Sequence, residues 1–136
     1  MPLKSLGVIE ISNGADSDFD HAAFDPKTRR AFIAHTARDS IEVIDHDAQR
    51  HIATLPGFSG VAGAVADDGE ILTTNRGAAT ITWLDAATCE VKAVFPSGPR
   101  PNRAAIVKRM GIGLAACKNS RHCPEMRQFY GLLPVI

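Results

Sequence analysis

The chain has 136 residues, of which 45% are hydrophobic and 22% are charged, and its formal net charge is zero. This composition indicates a folded globular domain and excludes a disordered or fibrous chain. No segment approaches the roughly 20 consecutive apolar residues that a membrane helix needs, so we expect no membrane partner.

The charges are distributed unevenly along the chain. Residues 98–136 hold seven basic residues and one acidic residue, whereas residues 1–97 hold eight basic and 14 acidic residues. The basic residues of the tail are scattered and have few aromatic neighbours, so we expect no nucleic-acid partner. No hydrophobic signal core precedes the first strand pattern, which predicts a cytoplasmic protein as written, or a periplasmic one if the true N-terminus is missing. The three cysteines are unevenly spaced and predict free thiols.

Strand patterns begin near the N-terminus, where residues 7–12 predict a single short strand. Four more short strands follow, at 21–24, 30–35, 40–45 and 50–55. The segments between them contain Pro, Asp, Gly or Asn, which favour tight turns. Residues 21–60 therefore predict one antiparallel four-stranded unit.

The same order of elements returns at an offset of 40 residues, with strands predicted at 61–66, 70–75, 80–85 and 90–95. Five identities need no gap: Ala22/Ala62, Ile41/Ile81, Asp45/Asp85, Ala53/Ala93 and Pro56/Pro96. A third unit starts with strands at 104–107 and 111–115, and the pattern stops at Cys117. Beyond that point only Gln128–Leu133 has the pattern of a closing strand.

A repeat of about 40 residues made of short strands is typical of a β-propeller, in which each repeat forms one blade. We predict an all-β partial β-propeller of about three four-stranded antiparallel blades, with the last blade incomplete. The domain spans 1–117 and the irregular basic tail spans 118–136. Within the domain, the N-terminal strand precedes blades at 21–60, 61–101 and 102–117. Propellers have about four to eight blades, so these blades do not close a ring and indicate a truncated propeller.

The repeats resemble the YVTN family of β-propeller repeats, which includes YncE-like proteins. The name-giving strand is matched best by Leu72–Asn75 and more loosely by Phe32–His35, each followed by a strand ending in Asp85 or Asp45. The resemblance covers residues 21–117. It implies that the Asn at the strand end and the Asp after the third strand organise turns through side-chain to backbone hydrogen bonds.

The resemblance also implies a binding site. In propellers, the loops after the second and fourth strands lie at one end, around the mouth of the channel. Here they carry acidic, imidazole, amide and guanidinium groups, which suit a small polar ligand or a protein partner. These candidate residues are Asp20, His21, His35, Asn75, Arg76, Arg100 and Asn102. The alternative is that they are ordinary solvated turn residues.

Other chemical motifs are weak. The alternating carboxylates of residues 16–20 lack the Gly and Glu of an EF-hand loop, since His21 and Lys27 stand there. The histidines have no spacing that suits zinc, and residues 111–116 fit a dinucleotide fingerprint without the helix that should follow. Trp83 is expected to pack between blades. We therefore predict no metal, no cofactor and no catalytic residue.

Three functional interpretations follow. The first is a non-enzymatic propeller repeat protein that serves as a scaffold for a ligand or a protein. The alternative is a propeller enzyme that resembles the lactonases or quinoprotein dehydrogenases and needs a metal or quinone cofactor held by several blades. In the third, the chain is a fragment that has no independent function, and its exposed blade faces favour self-association.

Overall fold

The computed structural model describes residues 2–12, 14–117 and 129–131. Regular structure in this part of the chain is almost entirely strand, interrupted by two single 3-10 turns, Thr36–Arg38 and Lys108–Met110. The strands are β1 (Ala22–Asp25), β2 (Arg30–His35), β3 (Ser40–Asp45), β4 (Arg50–Pro56), β5 (Val61–Asp67), β6 (Glu70–Asn75), β7 (Thr80–Asp85), β8 (Val91–Pro96), β9 (Pro101–Val107), β10 (Ile112–Cys117) and β11 (Phe129–Gly131).

The strands form three antiparallel sheets in chain order. We name them blade 1 (β1 to β4), blade 2 (β5 to β8) and blade 3 (β9 to β11). Within the described ranges, blades 1 and 2 have four strands each, and blade 3 has three. The prediction of an all-β partial propeller with an incomplete last blade is therefore confirmed. The closing strand expected within Gln128–Leu133 is β11, which pairs with β10. The tail residues 118–128 and 132–136 lie outside the described residues.

The 40-residue repeat extends to the backbone geometry of the turns. Four pairs of equivalent residues have positive φ angles: Arg29 and Gly69, Asp39 and Ala79, Gln49 and Cys89, Gly60 and Arg100. In most of these positions the left-handed conformation is held by a residue other than glycine, which costs conformational energy. The turns of the two blades are therefore built to the same plan although few of their residues are identical.

Blades 1 and 2 share an apolar interface. Phe32, Ile41 and Val43 on one face of blade 1 pack in the same cluster as Ile71 and Leu84 of blade 2. All five side chains are fully buried. Since burying one such side chain contributes about 1.5 to 3 kcal/mol, this interface is a main source of stability.

Blades 2 and 3 are joined through the opposite face of blade 2. Leu72, Ile81 and Trp83 cluster with Ala115 of β10 and with the half-buried Ile106 of β9. The prediction that Trp83 packs between blades is confirmed. Its indole nitrogen also donates a hydrogen bond of 2.5 Å to a carboxylate oxygen of Glu70.

The aspartates that end β3 and β7 organise the turns that follow, as the family resemblance implies. Oδ1 of Asp45 accepts the backbone N–H of Ala48 at 2.9 Å. Oδ1 of Asp85 accepts the backbone N–H groups of Ala87 and Thr88, both at 2.9 Å. The repeated aspartate therefore satisfies backbone donors that a tight turn leaves without a partner.

The strand predicted at residues 7–12 does not form. This segment is mostly exposed and ends in a turn in which the Gly14 N–H donates to the Ile11 carbonyl at 2.9 Å. A strand needs the backbone groups of a neighbouring edge, and the fourth position of blades 1 and 2 is already filled by β4 and β8. The prediction was therefore wrong.

Asp25 links the first turn of blade 1 to blade 2 at the end opposite to the β2–β3 loop. It is fully buried. One carboxylate oxygen accepts the Thr28 N–H at 3.1 Å and the Thr28 hydroxyl at 2.7 Å. The other accepts the Gly69 N–H of blade 2 at 3.0 Å. Burial raises the pKa of Asp25, but these hydrogen bonds outweigh it and leave the pKa below its usual value.

We expect Asp25→Asn to lower the free energy of unfolding by about 2 kcal/mol at pH 7, because an amide places N–H groups against backbone donors. The lowered pKa means that ionised Asp25 stabilises the fold above its usual pKa of 3.8, and that this contribution is lost as the pH falls further. The variant should therefore lose less stability than the wild type below pH 4. Urea unfolding across the acid range measures both effects.

The matched control is Asp47→Asn, which alters an exposed carboxylate at the same end of blade 1. We expect it to leave the urea concentration at the midpoint of unfolding almost unchanged, because substitutions of exposed side chains have small effects. Equal effects of the two substitutions at neutral pH would show that Asp25 does not link the blades.

Candidate functional site

Four loops of blades 1 and 2 meet at one end of the molecule, as the propeller topology predicts. The loop after β4 is central to this end. Its Gly60 carbonyl accepts the Arg76 N–H at 3.1 Å, and its Ser59 carbonyl accepts the Gly77 N–H at 3.0 Å. On its other side, the Gly60 N–H donates to the Asp39 carboxylate at 2.7 Å. The loops that should surround the channel mouth are therefore bound to one another by backbone groups.

Three of the candidate residues come together at this end. Oδ1 of Asp20 lies 2.7 Å from Nδ1 of His21, and Oδ2 of Asp20 lies 3.1 Å from a guanidinium nitrogen of Arg76. The His21 backbone N–H also donates to the Ala62 carbonyl at 3.1 Å, which ties the start of β1 to β5. Asp20 therefore orients an imidazole of blade 1 and a guanidinium of blade 2 at the same point.

Arg100 and Asn102 belong to the next loop and the next blade. The Arg100 side chain is exposed. The Asn102 backbone carbonyl accepts a hydrogen bond of 3.0 Å from the Thr74 hydroxyl. Within the described residues, no hydrogen bond or ion pair joins either residue to Asp20, so they extend the loop end without belonging to the Asp20 group.

The remaining two candidates, His35 and Asn75, are buried rather than exposed at the channel mouth. They occupy equivalent positions at the ends of β2 and β6. The amide nitrogen of Asn75 donates to the hydroxyls of Thr80 at 3.1 Å and Thr82 at 2.8 Å. The resemblance implies that the strand-end Asn holds a turn through hydrogen bonds to the backbone. In the structure, the Asn75 side-chain amide instead binds side-chain hydroxyls of the adjacent strand β7.

His35 belongs to a buried polar cluster that the sequence did not predict. Its Nδ1 lies 2.9 Å from Oε1 of Glu42, which also accepts the Ser40 hydroxyl at 2.9 Å. Oε2 of Glu42 accepts Nε2 of His51 at 2.7 Å and the Thr54 hydroxyl at 2.5 Å. We call these five residues the Glu42 cluster. The side chains of His35 and Glu42 are 0% and 1% exposed, so the carboxylate is satisfied entirely by protein donors.

The hydrogen bonds of the Glu42 cluster determine its charge. Burial raises the pKa of Glu42, but the bonds from Thr54, His35, Ser40 and His51 together lower it more, so its pKa lies below the usual value. Glu42 is therefore a carboxylate at neutral pH, and its four donors take the place of water.

The N-terminal segment covers the Glu42 cluster. The Phe19 ring stacks on the His35 imidazole with centroids 4.2 Å apart. The Ser17 hydroxyl lies 2.5 Å from Nε2 of His35. A groove in this segment is lined by Ile9, Glu10, Ile11, Ser12, Gly14, Ala15 and Phe19. The segment thus places a hydroxyl, an aromatic ring and a groove of mixed polarity beside a buried imidazole.

Two further properties concern the described residues as a whole. No group of three or more His, Cys, Asp or Glu side chains in the described ranges has an arrangement that could hold a metal ion. No helix within these ranges is long and apolar enough to cross a membrane.

Solved structures with β-propeller-like folds are similar to this chain. Hydrazine synthase from Kuenenia stuttgartiensis has a TM-score of 0.67 at 14% sequence identity, over 79% of this chain and 32% of that chain. Apo AztD from Citrobacter koseri has a TM-score of 0.58 at 15% identity, over 70% of this chain and 27% of that chain. This chain therefore spans about a third of their length, and the likeness shows the fold alone. No family model matches the sequence, and no curated protein matches it.

We expect Glu42→Gln to lower the free energy of unfolding by about 3 kcal/mol at pH 7, because it leaves buried donors of His51 or Thr54 without a carboxylate. The lowered pKa of Glu42 means that its stabilising effect is present above its usual pKa of 4.5 and is lost as the pH falls below it. The stability difference between the variant and the wild type should therefore shrink in acid. Urea unfolding at several pH values measures this.

Glu90→Gln is the control for this substitution, since Glu90 is an exposed residue of the turn before β8. We expect a change of less than about 0.5 kcal/mol. If both variants unfold at the same urea concentration as the wild type, the buried carboxylate does not stabilise blade 1.

Proposed function

We propose that this chain is part of a β-propeller that binds a small carboxylate-bearing organic anion at its loop end. The observation that carries the proposal is the pairing of His21 and Arg76 on the two oxygens of Asp20. This pairing brings together a cation of blade 2 and an imidazole of blade 1 at the entrance between two blades. Ligand sites commonly combine a concave position with a few oriented polar groups of this kind.

The Asp20 group has donors to spare. A guanidinium carries five N–H donors, and one nitrogen of Arg76 contacts Asp20. His21 uses Nδ1 toward Asp20 and the Ala62 carbonyl, so Nε2 is left for a ligand, and it donates a hydrogen bond when the imidazole is protonated. Both side chains are partly exposed, at 26% for Arg76 and 47% for His21. Planar guanidinium donors match a carboxylate in geometry as well as in charge.

We also propose that the repeat is of the YVTN type. The turn aspartates Asp45 and Asp85 and the strand Leu72–Asn75 support this assignment, because they occupy the positions that the resemblance implies. The solved structures that resemble the chain support the propeller fold and are silent on the ligand. Self-association through exposed blade faces and an enzyme of the lactonase or quinoprotein type stay predictions.

The experiment is calorimetric titration of the folded chain with acetate, succinate and citrate at low salt. We expect at least one of these carboxylates to bind, and Arg76→Gln to weaken it about tenfold, because a hydrogen bond to a charged group contributes about 1.5 to 3 kcal/mol. Arg29→Gln is the matched control, since Arg29 forms its ion pair with Asp47 at the other end of the blade. It should leave the affinity unchanged.

Two outcomes would contradict the proposal. In the first, none of the three carboxylates binds while circular dichroism shows a folded chain. In the second, a carboxylate binds and the two arginine substitutions weaken it equally, which would indicate nonspecific attraction to positive charge.

A further inference from the structure

A hydroxyl, an imidazole and a carboxylate stand in series on the face of blade 1 that does not contact blade 2. The Ser17 Oγ lies 2.5 Å from Nε2 of His35, and Nδ1 of His35 lies 2.9 Å from Oε1 of Glu42. The three residues come from the N-terminal segment, β2 and β3, and Ser17 precedes His35 by 18 residues. The same order of contacts occurs in serine acyl-transfer sites, where the hydroxyl is the nucleophile, the imidazole is the base and the carboxylate orients the imidazole. Such sites recur on unrelated folds.

The protonation of the imidazole follows from its partners. The ionised Glu42 carboxylate only accepts hydrogen bonds, so Nδ1 of His35 carries a proton and donates a hydrogen bond to Oε1. In the neutral form of the ring, Nε2 is then the lone-pair acceptor that faces the Ser17 hydroxyl. Stacking of Phe19 on the ring and the burial of His35 hold this orientation. The hydroxyl therefore faces a base in the tautomer that can take its proton.

The other oxygen of Glu42 keeps the carboxylate fixed. Oε2 is held by His51 and Thr54, and Oε1 is shared between His35 and Ser40. His51, Thr54 and Ser40 are therefore positioning residues, which act through Glu42 and do not contact the hydroxyl. A carboxylate with four donors cannot rotate away from the imidazole without breaking several hydrogen bonds.

The hydroxyl also has access to solvent. Ser17 is half-buried, in contrast to the fully buried His35. The groove in the N-terminal segment is lined by residues on both sides of Ser17 in sequence, and its lining is mixed, since Glu10 and Ser12 lie beside the apolar Ile9, Ile11 and Phe19. The Glu10 carboxylate disfavours an anionic substrate, so the groove suits an uncharged ester with a short acyl chain.

We propose that Ser17 is an acyl-transfer nucleophile that hydrolyses carboxylic esters with a short apolar acyl chain. Its Oγ attacks the ester carbonyl carbon while His35 Nε2 takes the hydroxyl proton, and the alcohol then leaves with that proton, which gives an acyl-serine. Water attacks the acyl-serine, His35 accepts a proton from the water and returns it to Oγ, and the carboxylic acid leaves. Ester and water are thus converted into alcohol and acid with no other reactant. The site is separate from the Asp20 group and does not depend on it.

The first test is covalent labelling of the wild-type chain with a fluorophosphonate probe, followed by peptide mass spectrometry. We expect the phosphonyl increment on Ser17 and not on Ser5, which is exposed on the same segment and does not line the groove. Labelling does not require a variant to fold. An increment absent from Ser17 after prolonged exposure of the folded chain would overturn the proposal.

The second test compares the hydrolysis of p-nitrophenyl butyrate by the wild type, Ser17→Ala and Ser5→Ala. We expect Ser17→Ala to lower the rate by at least about 100-fold, since loss of nucleophile and proton transfer costs this much or more. Ser5→Ala should leave the rate unchanged, because Ser5 is exposed on the same segment and does not line the groove. Circular dichroism confirms that the variants fold. If Ser17→Ala folds and hydrolyses the ester as fast as the wild type, Ser17 only anchors the N-terminal segment and the proposal is wrong.

Discussion

A propeller blade has two faces, and both must be removed from water for the sheet to be stable. In blade 2 this condition is met by neighbours, because one face packs on blade 1 and the other packs on blade 3. Among the described residues, blade 1 has a neighbouring blade on one face only. Its other face is closed by the Glu42 cluster and by the N-terminal segment that lies over it. The rest of the structure depends on this closure, since an open face would expose the central strand β3.

Equivalent positions in the two blades hold polar side-chain networks that differ in charge. His35, Ser40 and Glu42 of blade 1 correspond to Asn75, Thr80 and Thr82 of blade 2. In blade 2 the three side chains form a small neutral network that fits inside the interface with blade 1. In blade 1 the network is larger and charged, and its carboxylate needs four donors.

The sequence predicted the blades well because hydrophobic alternation and turn chemistry are local. The strands around Phe32 and Leu72, the turn aspartates and the packing of Trp83 could all be predicted in this way. The Glu42 cluster could not, because its members are separated along the chain and each residue alone resembles an ordinary strand residue. Pairing β3 with β4 in the observed register places Glu42 opposite Thr54. This register is the signal from which the cluster could have been predicted. The ion pair between Asp20 and Arg76 could not be predicted from local patterns either, because it forms only when blade 1 packs on blade 2.

The most direct measurement of this closure is hydrogen exchange of the native full-length chain, followed by mass spectrometry of peptides from β3 and β7. Both strands are second from the outer edge of their blades, and β7 is covered by protein on both faces. If the N-terminal segment and the Glu42 cluster close blade 1, the amides of Ser40–Asp45 should be protected to a degree similar to those of Thr80–Asp85. Exchange of Ser40–Asp45 at the rate of the exposed loops, with Thr80–Asp85 still protected, would show that the face is open.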